Sequence, residues 1–145
     1  MTPDVNVLVA ASRSDHPHHA IARQWLEAAL LQADDAAPLT LQPMVTASFL
    51  RLVTHPRIFL QPTPVGDATA FLDALMESPV VHVPVLGDEW EVLRRLCLDK
   101  NLAANDLPDA WLAAAVIHQA EHLVTFDRDF RRLLARHQFT RLNPR

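Results

Sequence analysis

Pro3-Asp4-Val5-Asn6-Val7-Leu8-Val9 sets a single acid against an apolar run, and the way that run folds decides the fold. Its valines favour a strand from Val5 to Val9. Asp4 then either precedes that strand or ends a much shorter one whose continuation turns helical, and propensity leaves both open. Two more acids stand at comparable boundaries. Asp109 lies in Asn105-Asp106-Leu107-Pro108-Asp109-Ala110-Trp111 at a helix start, and Asp127 follows the strand-like Leu123-Val124-Thr125-Phe126. Catalytic groups of α/β proteins gather at the carboxyl edge of a parallel sheet. Three carboxylates meeting there would suit a hard divalent cation and phosphate chemistry.

Outward from these acids, helix-like and strand-like periods alternate, the pattern of an α/β protein with a mainly parallel sheet. Asp15 is placed to cap a helix that has Pro17 in its first turn and carries Ile21, Trp25, Leu26, Ala29 and Leu30 on one face. Leu39-Thr40-Leu41 reads as a short strand. A helix follows from Met44 to Val53 and stops at His55-Pro56. Another carries Ala68, Phe71, Leu72, Leu75 and Met76. Val80-Val81-His82-Val83 is a β-branched strand, Glu89 to Leu98 a helix, and Pro108 starts a further helix reaching His118 or Gln119. His122 to Thr125 is a strand, Arg128 to Arg136 a short helix, and Phe139 to Leu142 a last strand. No repeat or linker divides the chain, so residues 1–145 are expected to form one domain.

Half of the 145 residues are hydrophobic, which predicts a packed core rather than disorder. The formal net charge is -4, so a general electrostatic nucleic-acid binder is disfavoured, while an enzyme that meets a few phosphates locally is not. The single Cys97 excludes an internal disulfide and a multi-cysteine zinc site, fits a reducing compartment, and reads as a small buried hydrophobe. Two glycines cannot build a P-loop or dinucleotide fingerprint. No apolar stretch is long enough to span a bilayer and no leader-like segment is visible, so a soluble cytoplasmic protein is expected, without membrane partners.

Taken singly, the acids have ordinary explanations. Asp109 suits the first turn of a helix and Asp106 its N-cap, while Asp127 could cap the turn at Arg128. Asp4 has no such simple role. Arg51 and Arg57 flank the His55-Pro56 break, where they would either contact an RNA backbone or stay solvated at a helix end. His16, His18 and His19 invite a zinc reading, which the lack of a cysteine partner weakens. Trp25 and Trp111 read as core or dimer contacts rather than base-stacking platforms.

The chain resembles the PIN-domain ribonucleases and, within them, the VapC-type toxins of bacterial type II toxin–antitoxin pairs. The resemblance is carried by Asp4-Val5-Asn6-Val7-Leu8, Asp15-His16-Pro17-His18-His19, Phe49 to Phe59, Pro108 to Ala114, and Val124 to Phe130, so it covers nearly the whole sequence. It implies a three-layer α/β/α sandwich with a mainly parallel sheet of four or five strands, and a helix from Asn6 onward. It also implies an endoribonuclease dependent on Mg²⁺ or Mn²⁺, cutting tRNA or rRNA, forming a homodimer and held inactive by a cognate antitoxin. By position, Asp4, Asp109 and Asp127 match the family's catalytic, metal-binding acids. Asn6 is then a partner that orients Asp4, and Asp106 and Asp129 are auxiliaries. The family's usual Glu just before the Phe49-Leu50-Arg51 segment is replaced by Ser48, with Thr46 nearby, which leaves open one metal or two. Ser48 could still anchor a water or a phosphate oxygen.

Three other functions compete. A degenerate PIN domain would bind a partner without cutting RNA, and a DNA-acting nuclease would use the same fold. An aspartyl-phosphate enzyme is disfavoured because Asn6 stands two residues after Asp4 and no lysine adjoins the other acids, Lys100 being the only one.

Overall fold

The computed structural model describes residues 1–143. Five short strands and six helices alternate: β1 (Thr2–Pro3), α1 (Val5–Ser12), α2 (His19–Gln32), β2 (Leu39–Thr40), α3 (Pro43–Val53), α4 (Val65–Met76), β3 (Val81–His82), α5 (Trp90–Lys100), α6 (Leu107–His118), β4 (Leu123–Thr125) and β5 (Phe139–Arg141). The segment from Val5 to Val9 is therefore helix, not strand. Asp4 caps it, its Oδ1 accepting the Val5 N–H at 2.7 Å. Val7 to Ala11 are all buried, so the whole circumference of α1 lies in the core and burial outweighs the β propensity of its valines.

All strand pairs are parallel, but the expected single sheet of four or five strands is divided. One sheet has three strands in the order β1-β4-β5, and the other pairs β2 with β3. Pro3 accounts for the division. The N–H groups of Thr2 and Asp4 donate to the carbonyls of His122, just before β4, and of Val124 within it, which turns the intervening residue toward β2. That residue is a proline without an N–H. Beside Pro3 the two segments are joined only at Met1, whose carbonyl accepts the Thr40 N–H at 2.8 Å and whose amino group donates to the Pro38 carbonyl at 3.0 Å, among the described residues.

The helices divide into two packed groups. α1 lies against α2, α3 and β4, with α3 also on α4, while α5 pairs with α6. In α6 the unbroken buried run Leu112 to Val116 sinks it as deeply as α1. Three further expectations are corrected. Asp15 does not cap a helix: α2 starts at His19 after an uncapped His18, because Asp15 is drawn to Arg13. The helix expected over Arg128–Arg136 is two separate 3₁₀ turns, Arg128–Arg132 and Arg136–Gln138. Cys97 is half-buried, since α5 has no fully buried residue.

Arg13 is buried, at 8% exposure, yet every part of its guanidinium is engaged. It meets Asp15 through Nε and Nη2 at 3.0 and 2.8 Å, Thr63 Oγ1 at 2.9 Å and the Gln61 carbonyl at 3.0 Å, and lies 3.8 Å above the Phe59 ring. It thereby ties the end of α1 to the loop between α3 and α4. Arg13→Ala is expected to cost about 3 kcal/mol in a urea melt, because several charge-assisted bonds and a cation–π contact disappear together. Arg13→Lys should recover only a small part, lacking the planar fork.

Candidate active site

Parallel pairing of β1 with β4 brings two carboxyl ends together, and the acids follow from that register. The Asp4 N–H donates to Val124, so Asp4 stands beside Thr125 at the end of β4, and Asp127 lies two residues on. Asp109 enters from the first turn of α6.

The group that joins them is Thr125, which the sequence reading did not single out. It is fully buried. Its hydroxyl donates to Asp4 Oδ2 at 2.6 Å and accepts from the Asp127 N–H at 2.9 Å and from Asn6 Nδ2 at 3.2 Å. One proton and two lone pairs are thus all used. Asn6 was expected to be a partner that orients Asp4. It reaches Asp4 at one remove, through Thr125, and its Oδ1 also accepts the Phe126 N–H at 3.2 Å. Asp127 Oδ1 accepts the Asp129 N–H at 2.7 Å, closing the turn that follows. A threonine in a buried strand is unexceptional, and its only signal is its place between Val124 and Asp127.

Burial and mutual repulsion disturb these acids. Asp4 is 5% exposed, and loss of hydration pushes its pKa up to about 6 against the pull of the Thr125 and Val5 bonds, with Asp109 and Asp127 adding to the rise. Asp109 is half-buried and also raised, first by burial and then by Asp127, Asp129 and Asp106. Asp106 occupies the N-cap position of α6 but makes no side-chain cap bond there; its carboxylate accepts the Ala103 N–H at 3.1 Å.

The sign of the pH effect follows. Below about pH 4 both the folded and unfolded states hold the Asp4 proton, and there is no penalty. Between about pH 4 and 6 the unfolded chain releases it first, so stability falls as pH rises. The rise from 3.8 to about 6 corresponds to about 3 kcal/mol at neutral pH. Asp15 acts in the opposite sense: its pKa is lowered by the bond to Arg13, and its contribution is lost as pH falls through the acid range. His16, whose pKa burial lowers, also acts in the opposite sense, so the Asp4 contribution is read as the difference between wild type and an Asp4 variant in EDTA, expected to turn against wild type as pH rises from about 4 to 6. A difference that does not change over that interval would contradict the Asp4 assignment.

Asp4, Ser48, Arg51 and Asp109 line one cleft of about 570 Å³, otherwise walled by apolar side chains of α1, α3, α5 and α6. Trp111 belongs to this wall, not to the core, and its indole donates to the buried Glu89 at 2.7 Å. Trp25 is half-buried against the core. Asp106, Asp109 and Asp129 border a smaller depression of about 30 Å³ with Arg132. Arg57, exposed on the loop after α3, is not among the residues lining the main cleft.

Hard carboxylate oxygens fit Mg²⁺ or Mn²⁺, and each Asp4 oxygen carries one hydrogen bond, leaving lone-pair capacity on both. Among the described residues, however, no three acids or histidines are drawn close enough to form a ready-made cage, so water would supply much of the coordination. The histidine triplet is likewise dispersed. His16 Nδ1 accepts the His18 N–H, the His18 ring stacks on Phe126, and His19 Nδ1 is 2.8 Å from the Ala10 carbonyl.

A family model for the PIN domain matches residues 1–134. Ribonuclease VapC25 of Mycobacterium tuberculosis is 44% identical over 131 residues, covering 89% of each chain. Ribonuclease VapC43 of the same species is 40% identical over 138 residues, covering 92% of each. Two solved structures share the fold. One is VapBC2 from Rickettsia felis bound to a promoter DNA fragment, with a TM-score of 0.62, 18% identity, and coverage of 91% of both chains. The other is Mycobacterium tuberculosis VapC20, a Sarcin-Ricin loop cleaving toxin, with a TM-score of 0.65, 17% identity, and coverage of 90% of this chain and 92% of that one.

Proposed function

Because this chain belongs to the PIN-domain family and is similar to VapC ribonucleases over most of its length, we propose that it is the ribonuclease toxin of a toxin–antitoxin pair. The observation that carries the reading is the Thr125 hydroxyl. It binds the carboxylate of Asp4 and the backbone of Asp127 together at the carboxyl ends of two parallel strands, with Asp109 close enough to repel both. Such an edge is built to hold negative charge that a cation would relieve.

In this reading the reaction is hydrolysis of an RNA phosphodiester in the presence of Mg²⁺ or Mn²⁺. The cation, when bound, supplies acidity for a water nucleophile and positive charge against the phosphate. Asp4, Asp109 and Asp127 would hold it. Thr125 and Asn6 keep Asp4 and Asp127 in register. Asp127, with one carboxylate oxygen not engaged by the Asp129 N–H, or Asp129 would align the attacking water and accept its proton. Arg51, at the rim of the same cleft, would steady a phosphate, and Ser48 would offer a hydroxyl where the family usually has Glu.

The partners belong to the same proposal. The apolar walls of the cleft suit a segment of a cognate antitoxin. Val83, Val85 and Trp90 are each exposed and apolar, residues that would suit contact with a second copy. Among the described residues no helix is long and apolar enough to cross a membrane.

The test is cleavage of a mixed tRNA and rRNA pool by the purified chain. Discrete cuts are expected with Mn²⁺ or Mg²⁺ and none with EDTA. Ser48 supports a second reading, a domain that binds its partner without cutting. Silence from folded protein with both metals would favour it, and equal cutting of single-stranded DNA would widen the substrate class.

A further inference from the structure

A second cavity, of about 440 Å³, backs onto the acidic site from the other side of Asn6. Its size lies in the range of small-ligand pockets, roughly 300–1,000 Å³. The residues that matter are Asn6, His16, His18, Ile58, Phe59 and Phe126. None is fully buried, and Ile58 is 49% exposed, so this is an open surface feature rather than core packing.

Its chemistry is specific. His18 stacks on Phe126 with ring centroids 5.0 Å apart and planes 29° from parallel, and His16 lies 5.6 Å from His18 at a steeper tilt. Phe59 is held from behind by Arg13. Two polar groups face this aromatic shelf. His16 accepts the His18 N–H at Nδ1, so the neutral ring carries its proton on Nε2 and offers a donor. Asn6 retains one amide hydrogen and one carbonyl lone pair beyond its bonds to Thr125 and Phe126. Exposed Arg57 immediately precedes Ile58 in the chain. Flat π-faces with a few hydrogen-bonding groups beside them are what an unstacked nucleobase on a single strand requires.

The position adds the functional link. Asn6 bonds Thr125, which holds Asp4, and Phe126 immediately precedes Asp127. We propose that this cavity takes the base of an RNA nucleotide flanking the scissile phosphate, stacked on the His18–Phe126 shelf with Asn6 and His16 reading its edge. The inference rests on the ribonuclease reading and deepens it, making the cavity a determinant of where the chain cuts.

Three variants of the full chain test this on the tRNA and rRNA pool, with cut sites mapped and KM and kcat separated on one oligonucleotide spanning a mapped site. His18→Ala removes the shelf, Ile58→Trp fills the cavity from its exposed wall, and His18→Phe keeps a stacking face. The first two are expected to raise KM about tenfold and redistribute the cut sites, with kcat within about threefold, and His18→Phe to restore KM. Unchanged KM and cut sites in both His18→Ala and Ile58→Trp would overturn the proposal while leaving the ribonuclease reading intact. The proposal would equally fall if Ile58→Trp altered only the mass in light scattering, for the cavity would then be a contact between copies. If the wild-type chain cuts nothing, AMP, GMP, CMP and UMP are titrated against it by NMR, with ribose 5-phosphate as control. Shifts of the His16 and His18 ring signals with nucleotides alone would sustain a base site. No shifts would overturn it.

Discussion

Asp4→Ala is expected to lower metal-dependent RNA cleavage by about a thousandfold or more, the scale on which loss of a principal electrostatic group acts. The same substitution should scarcely change stability at neutral pH. Removing the carboxylate relieves about 3 kcal/mol of unfavourable ionisation. It also deletes the cap of α1 and leaves the Thr125 hydroxyl without its acceptor, at about 1 kcal/mol or somewhat more each. At pH 4, where the wild-type Asp4 is protonated, only the losses remain, and the variant should melt lower by about 2 kcal/mol. The variant is thus expected to lose most of the pH dependence between about pH 4 and 7, which melts in EDTA would read directly. An inactive variant whose stability still declines across that interval like wild type would locate the perturbed acid elsewhere.

Thr125→Val should be the most damaging isosteric change in the site. It leaves Asp4 Oδ2 without a donor and the Asp127 N–H without an acceptor, and it frees one end of Asn6. At about 1–3 kcal/mol for each unsatisfied group, a loss of about 3 kcal/mol is expected in a urea melt. For a chain of this size that corresponds to a fall in Tm of about 10 °C. Cleavage should drop about a hundredfold through kcat, with KM for RNA nearly unchanged, because Thr125 positions the acids rather than touching the substrate. Thr125→Ser keeps the hydroxyl and should restore most of both. Full activity in Thr125→Val would reduce the threonine to a packing role.

The limits of the sequence reading have identifiable causes. α1 could be read as a strand because Val7 to Ala11 are buried on every side, so no polar face marks a period of 3.6. α6 was readable despite equal burial, because Pro108 and the acids mark its start and its length exceeds that of any ordinary strand. The capping role given to Asp15 failed because a charged partner two residues away outweighed a cap. The division of the sheet at Pro3 depends on which edge of β1 meets β4, a matter of register that the residue type does not contain. Trp111 looked like core because its neighbours along the helix are core, yet its own direction brings it to the cleft wall beside Leu93.

The sequence by itself determined the alternation of helices and strands, the three acids at element ends, and the family to which the chain belongs. Each of these is local: a period, a boundary residue, or an ordered set of short motifs. Only the tertiary structure decided that Thr125 reaches Asp4 across 121 positions of chain and joins it to Asp127, that Asn6 acts through it, and that an aromatic cavity includes Asn6 and Phe126 at the same point. Hydrogen-bond partners of a buried hydroxyl are chosen by the register of parallel strands that helices separate in sequence. No local pattern records that choice.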